Sequence, residues 1–340
     1  MTDPTMKRHV LEVKNLSTHI TTRQGVIKAV DEVSFWVDRG ETLGVVGESG
    51  SGKSMTALSL LRLQPRPAAE IVGGEIWLDG VDLLQQPPEF MKTVRGRLIS
   101  MILQDPQSSL NPVLTILDQV GEAVEIGSPG IAKKDRLARV RDLLTKVGIA
   151  DPGRRMKEYP HQMSGGMKQR VVGGIAMSCT PKIIIADEPT TSLDVTIQAQ
   201  YIRLLKEIQR QTQVGIIFIT HDFGIVARMC DRVAVMYAGR IVEHGPIHAI
   251  FEQPSHPYTQ ALIRSLPRLD RKTESLYSIP GTAPTAGQAR TGCPFASRCV
   301  YAEPRCQDAR PATFPGLSAE DGHVADCWKL EDPSWRPNLS

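Results

Sequence analysis

The chain has 340 residues, 41% of them hydrophobic, and its 40 basic against 37 acidic side chains leave a formal charge of +3. Such a chain can bury one large core and a second, smaller one, and so weak a charge excess argues neither for nucleic acid nor for an anionic membrane surface. Met1 to Ile20 lacks a signal-peptide core and no apolar run approaches the ~20 residues of a spanning helix, so the chain is expected to be cytosolic, or attached to a membrane only through a partner.

Short apolar runs at Val10 to Val13, Val33 to Val37, Thr42 to Val46 and Glu75 to Leu78, separated by Gly, Asp and Asn, predict strands. Between the third run and a helix predicted over Met55 to Leu63 stands Gly47-Glu48-Ser49-Gly50-Ser51-Gly52-Lys53-Ser54, which fits the G-x-x-x-x-G-K-[ST] phosphate-binding pattern. Its glycines let backbone N–H groups curl around phosphate oxygens, Lys53 neutralises the β and γ oxygens, and the Ser54 hydroxyl can ligate Mg²⁺. The bland alternative is a Gly/Ser-rich turn with an accidental lysine, and the strand before it and the helix after it weigh against that.

From Leu110 to Glu158 the spacing turns helical, with Leu137, Val140, Leu143, Leu144 and Val147 on one apolar stripe; this reads as a helical insertion over about 105–165. Ile183-Ile184-Ile185-Ala186-Asp187-Glu188 then sets two carboxylates at the end of a buried strand, where ligands sit in doubly wound sheets. Asp187 is placed for the Mg²⁺ shell and Glu188 for polarising the water that attacks the γ-phosphate. A helix over Tyr201 to Gln211, a strand over Gly215 to Thr220 and two β runs around Ala238-Gly239 close a nucleotide-binding domain over 1–250. An extension over 251–340 follows, punctuated by Pro254, Pro257, Pro267, Pro280 and Pro284. Neither a second phosphate loop nor an internal repeat is visible.

Cys179 and Cys230 stand apart as small buried thiols, whereas Cys293, Cys299, Cys306 and Cys327 fall within 35 residues of the extension. Four thiols are the number a metal site wants, and a cytosolic location argues against disulfides. A structural zinc site and a larger iron–sulfur cluster both stay open, although the tight C-x₂₋₄-C pairs usual for zinc are absent.

Met163-Ser164-Gly165-Gly166-Met167-Lys168-Gln169-Arg170 resembles the signature of ABC ATPases. Gln104 is similar to that family's Q-loop glutamine, Ser192-Leu193-Asp194 to its D-loop and His221 to its switch histidine, all in the family's order. Gln104-Asp105-Pro106-Gln107-Ser108-Ser109-Leu110-Asn111-Pro112 and His256-Pro257-Tyr258-Thr259-Gln260-Ala261-Leu262 narrow the resemblance to the ATPase subunits of oligopeptide and dipeptide importers, over nearly the whole chain from Val10. Met167 is that branch's own form of the signature.

The resemblance implies an α/β P-loop fold: a mostly parallel core sheet, an antiparallel β subdomain, a helical insertion and a small cysteine-bearing extension. It implies ATP hydrolysis with Mg²⁺ held by Ser54, Gln104 and Asp187, and catalysis by Glu188, His221 and Gln104. Gly47 to Ser54 would bind the nucleotide, and Ser164, Gly165 and Gly166 would cap the γ-phosphate of an ATP held by a second ATPase subunit. It further implies a heterodimer of ATPases, two transmembrane permease subunits docking after Gln104, an extracytoplasmic solute-binding protein and a peripheral place on the cytoplasmic face of the cell membrane. Peptides are the expected cargo, with nickel, glutathione and sugars served by other members. Some members carry a [4Fe–4S] cluster in this tail, which inclines the four cysteines toward iron over zinc. The adenine-stacking aromatic of the wider family falls near His19 and Ile20. A soluble ABC ATPase clamping DNA-repair or ribosomal complexes is the alternative; it would carry a second cassette, a coiled coil or a basic arm.

Overall fold

Runs of apolar residues too short for helices make the central strands, because strands covered on both faces need no polar alternation. In the computed structural model Thr42–Val46, Ile183–Asp187 and Gly215–Thr220 are buried at every position. The structure describes residues 9–105, 109–191, 193–266, 277–284, 291–318, 320 and 322–337; Pro106, Gln107, Ser108, Ser192 and Pro267, named above, lie outside them.

In chain order the first elements are β1 (Leu11–Thr22), β2 (Gly25–Val37), β3 (Thr42–Val46), α1 (Lys53–Leu60), β4 (Ala69–Leu78), β5 (Val81–Asp82), α2 (Pro88–Val94) and β6 (Ile99–Ile102). Next come α3 (Ile116–Gly127), α4 (Lys133–Lys146), α5 (Pro152–Arg155), α6 (Gly165–Met177), β7 (Ile183–Asp187), α7 (Val195–Thr212) and β8 (Gly215–Thr220). The chain continues through α8 (Phe223–Met229), β9 (Arg232–Tyr237), β10 (Arg240–Pro246), α9 (Ile247–Glu252), α10 (Pro257–Arg264), α11 (Arg305–Asp308), β11 (Phe314–Pro315) and β12 (Val324–Ala325). The chain folds as two compact units.

One unit takes in residues 9–12, Trp36–Thr42 and Trp77–Ile219. Its strands β6, β7 and β8 are parallel, with Ile99 opposite Ile183 and Ile183 opposite Gly215. The helical insertion is here: α3, α4 and α6 pack together, burying Val120 and Val124 against Val140, Leu143, Leu144 and Val171. Thr115 starts α3 with a reciprocal capping box to Asp118. Leu137, expected in the buried stripe, is instead exposed, because α4 turns that position outward.

The other unit takes in Val13–Phe35, Leu43–Ile76 and the described part of Thr220–Ser340. In it β3 runs parallel to β9, and β9 returns antiparallel as β10 through Ala238 (φ 48°) and Gly239 (φ 86°), the left-handed pair of a type I′ hairpin. The chain's far end joins the same sheet: β12 pairs antiparallel with β10, and β11 with β12. Strands β2, β1 and β4 lie side by side as a second sheet. Glu243 of β10 is buried and accepts the backbone N–H groups of Ser255 (2.7 Å) and His256 (2.8 Å), while the ring of His323 pairs with it at 2.9 Å. One carboxylate thereby satisfies donors from the start of α10 and from the hairpin β11–β12, anchoring the extension to β10.

Candidate functional site

The phosphate loop leaves β3 at Val46 and enters α1 at Lys53. Two of its glycines are required by their surroundings as well as by φ. At Gly47 (φ 155°) a Cβ would stand 2.1 Å from the Met236 carbonyl oxygen, and at Gly52 (φ 107°) 2.3 Å from that of Ala29. Lys53 is buried under the loop, its Nζ donating to the carbonyls of Gly47 (2.7 Å) and Glu48 (2.9 Å). Ser49, Gly50 and Ser54 are exposed. With a glycine at its N-cap, α1 presents its first backbone N–H groups beside a lysine, an arrangement suited to phosphate. An open pocket borders the loop from Glu48 to Ser51, with Ala283 and Pro284 of the extension also lining it.

In the other unit, the parallel neighbours β6 and β7 deliver their residues at the same, carboxyl-terminal edge. Asp187 ends β7 and is buried; Glu188 follows in a left-handed conformation (φ 45°), its N–H bonded to the Ile219 carbonyl at 2.9 Å. Gln104, just beyond β6, donates from Nε2 to Glu188 Oε2 (3.1 Å), and the Thr191 hydroxyl donates to the same oxygen (3.0 Å). Gln104 and Glu188, 84 residues apart in sequence, are thus brought together. The carboxylate faces donors that hold its orientation while leaving lone pairs for a water.

Ser164 caps α6, its Oγ accepting the Met167 N–H at 3.3 Å. The two glycines that follow differ. A Cβ at Gly166 would stand 2.6 Å from Ile197 of α7, so packing requires that glycine; at Gly165 nothing lies within 4 Å and the residue is exposed. Gly165 is therefore open to close approach from outside. Met163, which opens the signature segment, is a buried core residue. Asp194 caps α7, accepting the N–H groups of Thr196 and Ile197. His221 is exposed after β8, where Asp222 caps α8, and His19 and Ile20 are half-buried on β1.

The metal expectation for the four cysteines is corrected. Cys293, Cys299, Cys306 and Cys327 are free thiols bordering one cavity that Phe295 and Trp328 also wall. Among the described residues, however, no group of three or more His, Cys, Asp or Glu side chains is arranged to hold a metal ion. Burial pushes the Cys293 thiol up to about 11 and that of Cys327 up to about 12. Neither a [4Fe–4S] cluster nor zinc is therefore supported.

Sequence reasoning missed the residues of the extension that reach the phosphate loop. Arg298 forms a two-pronged ion pair with Glu48, and the Tyr258 hydroxyl accepts the Glu48 N–H at 2.8 Å. The acid at the loop's second position was the only available signal.

Residues 30–191 match the family model described as ABC transporter, and residues 242–306 the one described as oligopeptide/dipeptide transporter, C-terminal region. A probable peptide ABC transporter ATP-binding protein of Sinorhizobium fredii is 46% identical over 324 residues, covering 95% of this chain and 96% of the relative. The dipeptide transport ATP-binding protein DppD of Bacillus subtilis is 48% identical over 324 residues, covering 95% of each. Among solved structures, a dimeric bacterial ABC transporter cassette superposes with a TM-score of 0.62 at 25% identity, over 70% of this chain and 98% of that one. CbiO1 of Clostridium perfringens, part of the transporter complex cbiONQ, gives 0.62 at 25% identity over 72% and 92%.

Proposed function

For a chain that belongs to the ABC transporter ATP-binding proteins of the oligopeptide/dipeptide importer family, we propose the residue roles, the partners and a peptide cargo. The chain is an ATPase subunit that powers a membrane ABC importer. Among the described residues no helix is long and apolar enough to cross a membrane. In this reading, permease partners supply the passage. We place the subunit on the cytoplasmic face, with residues 1–250 as the nucleotide-binding domain and 251–340 as its extension.

The observation that carries the catalytic reading is the Gln104–Glu188 bond at the ends of β6 and β7. Glu188 accepts the proton of a water whose oxygen bonds to the γ-phosphorus as the bond from that phosphorus to the ADP oxygen breaks. Gln104 orients the carboxylate and the water, and His221 contacts the γ-phosphate. Lys53 and backbone N–H groups of the Gly47 to Ser54 loop, other than that of Glu48, which Tyr258 holds, bind the β- and γ-phosphates. The exposed Ser54 hydroxyl, the buried Asp187 carboxylate and the Gln104 amide are hard oxygen donors that would suit Mg²⁺, which when bound would neutralise charge on the phosphate oxygens. Ser164, Gly165 and Gly166 cap the γ-phosphate of an ATP held by a second, similar ATPase, and the open face of Gly165 supports that reading. Closure of the two ATPases around ATP moves the permease pair, which a solute-binding protein supplies with peptide.

The test is affinity purification of the chain from mildly solubilised membranes of its host, with mass spectrometry of what accompanies it. Two multi-spanning proteins and a second ATPase are the expected result. Ribosomal or DNA-repair proteins with no membrane protein would overturn the partners and cargo.

A further inference from the structure

Every polar group of Glu48 is committed. Its carbonyl accepts Lys53 Nζ (2.9 Å), its N–H is bound by the Tyr258 hydroxyl (2.8 Å), and its carboxylate lies in the fork of Arg298, with Nη1 to Oε2 at 2.7 Å and Nη2 to Oε1 at 3.0 Å. Arg298 is as fully engaged. Its Nε donates to the Pro280 carbonyl (2.9 Å), its Nη1 also reaches the Tyr237 hydroxyl (3.2 Å), and its plane lies 5.9 Å from the ring centroids of both Tyr237 and Phe295. The Arg298 side chain is 5% exposed and that of Glu48 29%, so the cation is delivered from inside the extension to the loop's edge.

Glu48 is the only acid between Gly47 and Ser54, in a segment whose other features favour an anion. An uncompensated carboxylate there opposes a triphosphate, and a buried guanidinium locked in a bidentate pair removes that opposition at a fixed geometry. Tyr258 acts on the same residue from α10, turning the Glu48 N–H toward the extension. The loop's second residue is therefore held chiefly by the extension and by Lys53, with one bond from within the loop, the Ser51 N–H to its carbonyl at 3.2 Å.

We propose that Arg298 is a positioning residue that acts through Glu48: it neutralises the carboxylate beside the phosphate loop, so that the extension sets the affinity of the nucleotide site. This rests on the reading of Gly47 to Ser54 as the ATP site.

The experiment measures equilibrium binding of Mg-ATP to the purified full chain for wild type, Arg298→Gln, Arg298→Lys and the double variant Glu48→Gln/Arg298→Gln. All three variants lose the fork, but only Arg298→Gln leaves a bare carboxylate. One such charge within a Debye length of the phosphates is expected to weaken binding by about tenfold, whereas Arg298→Lys and the double variant stay within about threefold of wild type. Raising the salt to about 0.5 M should shrink the Arg298→Gln deficit. Unchanged affinity in Arg298→Gln overturns the proposal, as does a double variant no better than that single one, which would reduce Arg298 to packing. Should Arg298→Gln fail to fold, the double variant carries no unpaired charge, and a tenfold loss in it is equally fatal. Failure of wild type to bind ATP would instead sink the nucleotide site itself.

Discussion

Replacing Glu188 by glutamine separates catalysis from binding. The substitution preserves size, and the new amide oxygen can still accept from Gln104 Nε2 and the Thr191 hydroxyl, now at 3.1 and 3.0 Å from Oε2. The backbone bond to Ile219 is untouched, so the local fold should persist. What is lost is a group that can take a proton. Removal of a general base costs typically 10²–10⁴ in rate, about 3–5 kcal/mol on the barrier. Phosphate release at saturating Mg-ATP should fall by that factor, while the equilibrium affinity for ATP stays within about threefold, because Glu188 makes no ground-state bond to the phosphates in this scheme. Turnover within threefold of wild type would refute the role of Glu188; intact turnover with weakened binding would move the residue to the binding machinery.

Two further outcomes follow from the loop and the tail. Gly47→Ala drives a methyl group to 2.1 Å from the Met236 carbonyl, so the loop backbone must move, and ATP affinity should fall by more than about 100-fold as the converging N–H groups are lost; retention of affinity in a binding titration contradicts the close-approach reading. His256 is driven down to about 3 by burial and is 1% exposed, with Nδ1 accepting the Tyr258 N–H at 3.1 Å. In the unfolded chain it takes a proton near 6.5, so stability is full above that pH and is lost as pH falls toward 3. The loss amounts to about 1.4 kcal/mol per pH unit across that window. Urea midpoints at pH 7 and 5 should differ accordingly, and His256→Asn, which caps α10 without titrating, should reduce the difference.

Local signals carried the candidate nucleotide site. A glycine-rich loop between an apolar strand and a helix, Ile183 to Glu188 as a buried strand ending in acids, and Ala238-Gly239 as a hairpin turn depend on neighbours in sequence, because φ, side-chain size and apolar runs act over a few residues. The extension obeyed a different logic. Arg298 meets Glu48 across 250 residues and His323 meets Glu243 across 80, pairings that no periodicity encodes. The cysteines show the same limit: their spacing admitted a metal site, but whether side chains converge on one ion depends on how the tail packs, and among the described residues none do. By itself the sequence determined the glycine-rich loop between strand and helix and the α/β class, which rest on short-range sterics and apolar patterning. Only the tertiary structure decided that Gln104 faces Glu188 and that the tail grips the phosphate loop, because the charges and hydroxyls involved become partners only when separate elements are packed together and water is excluded.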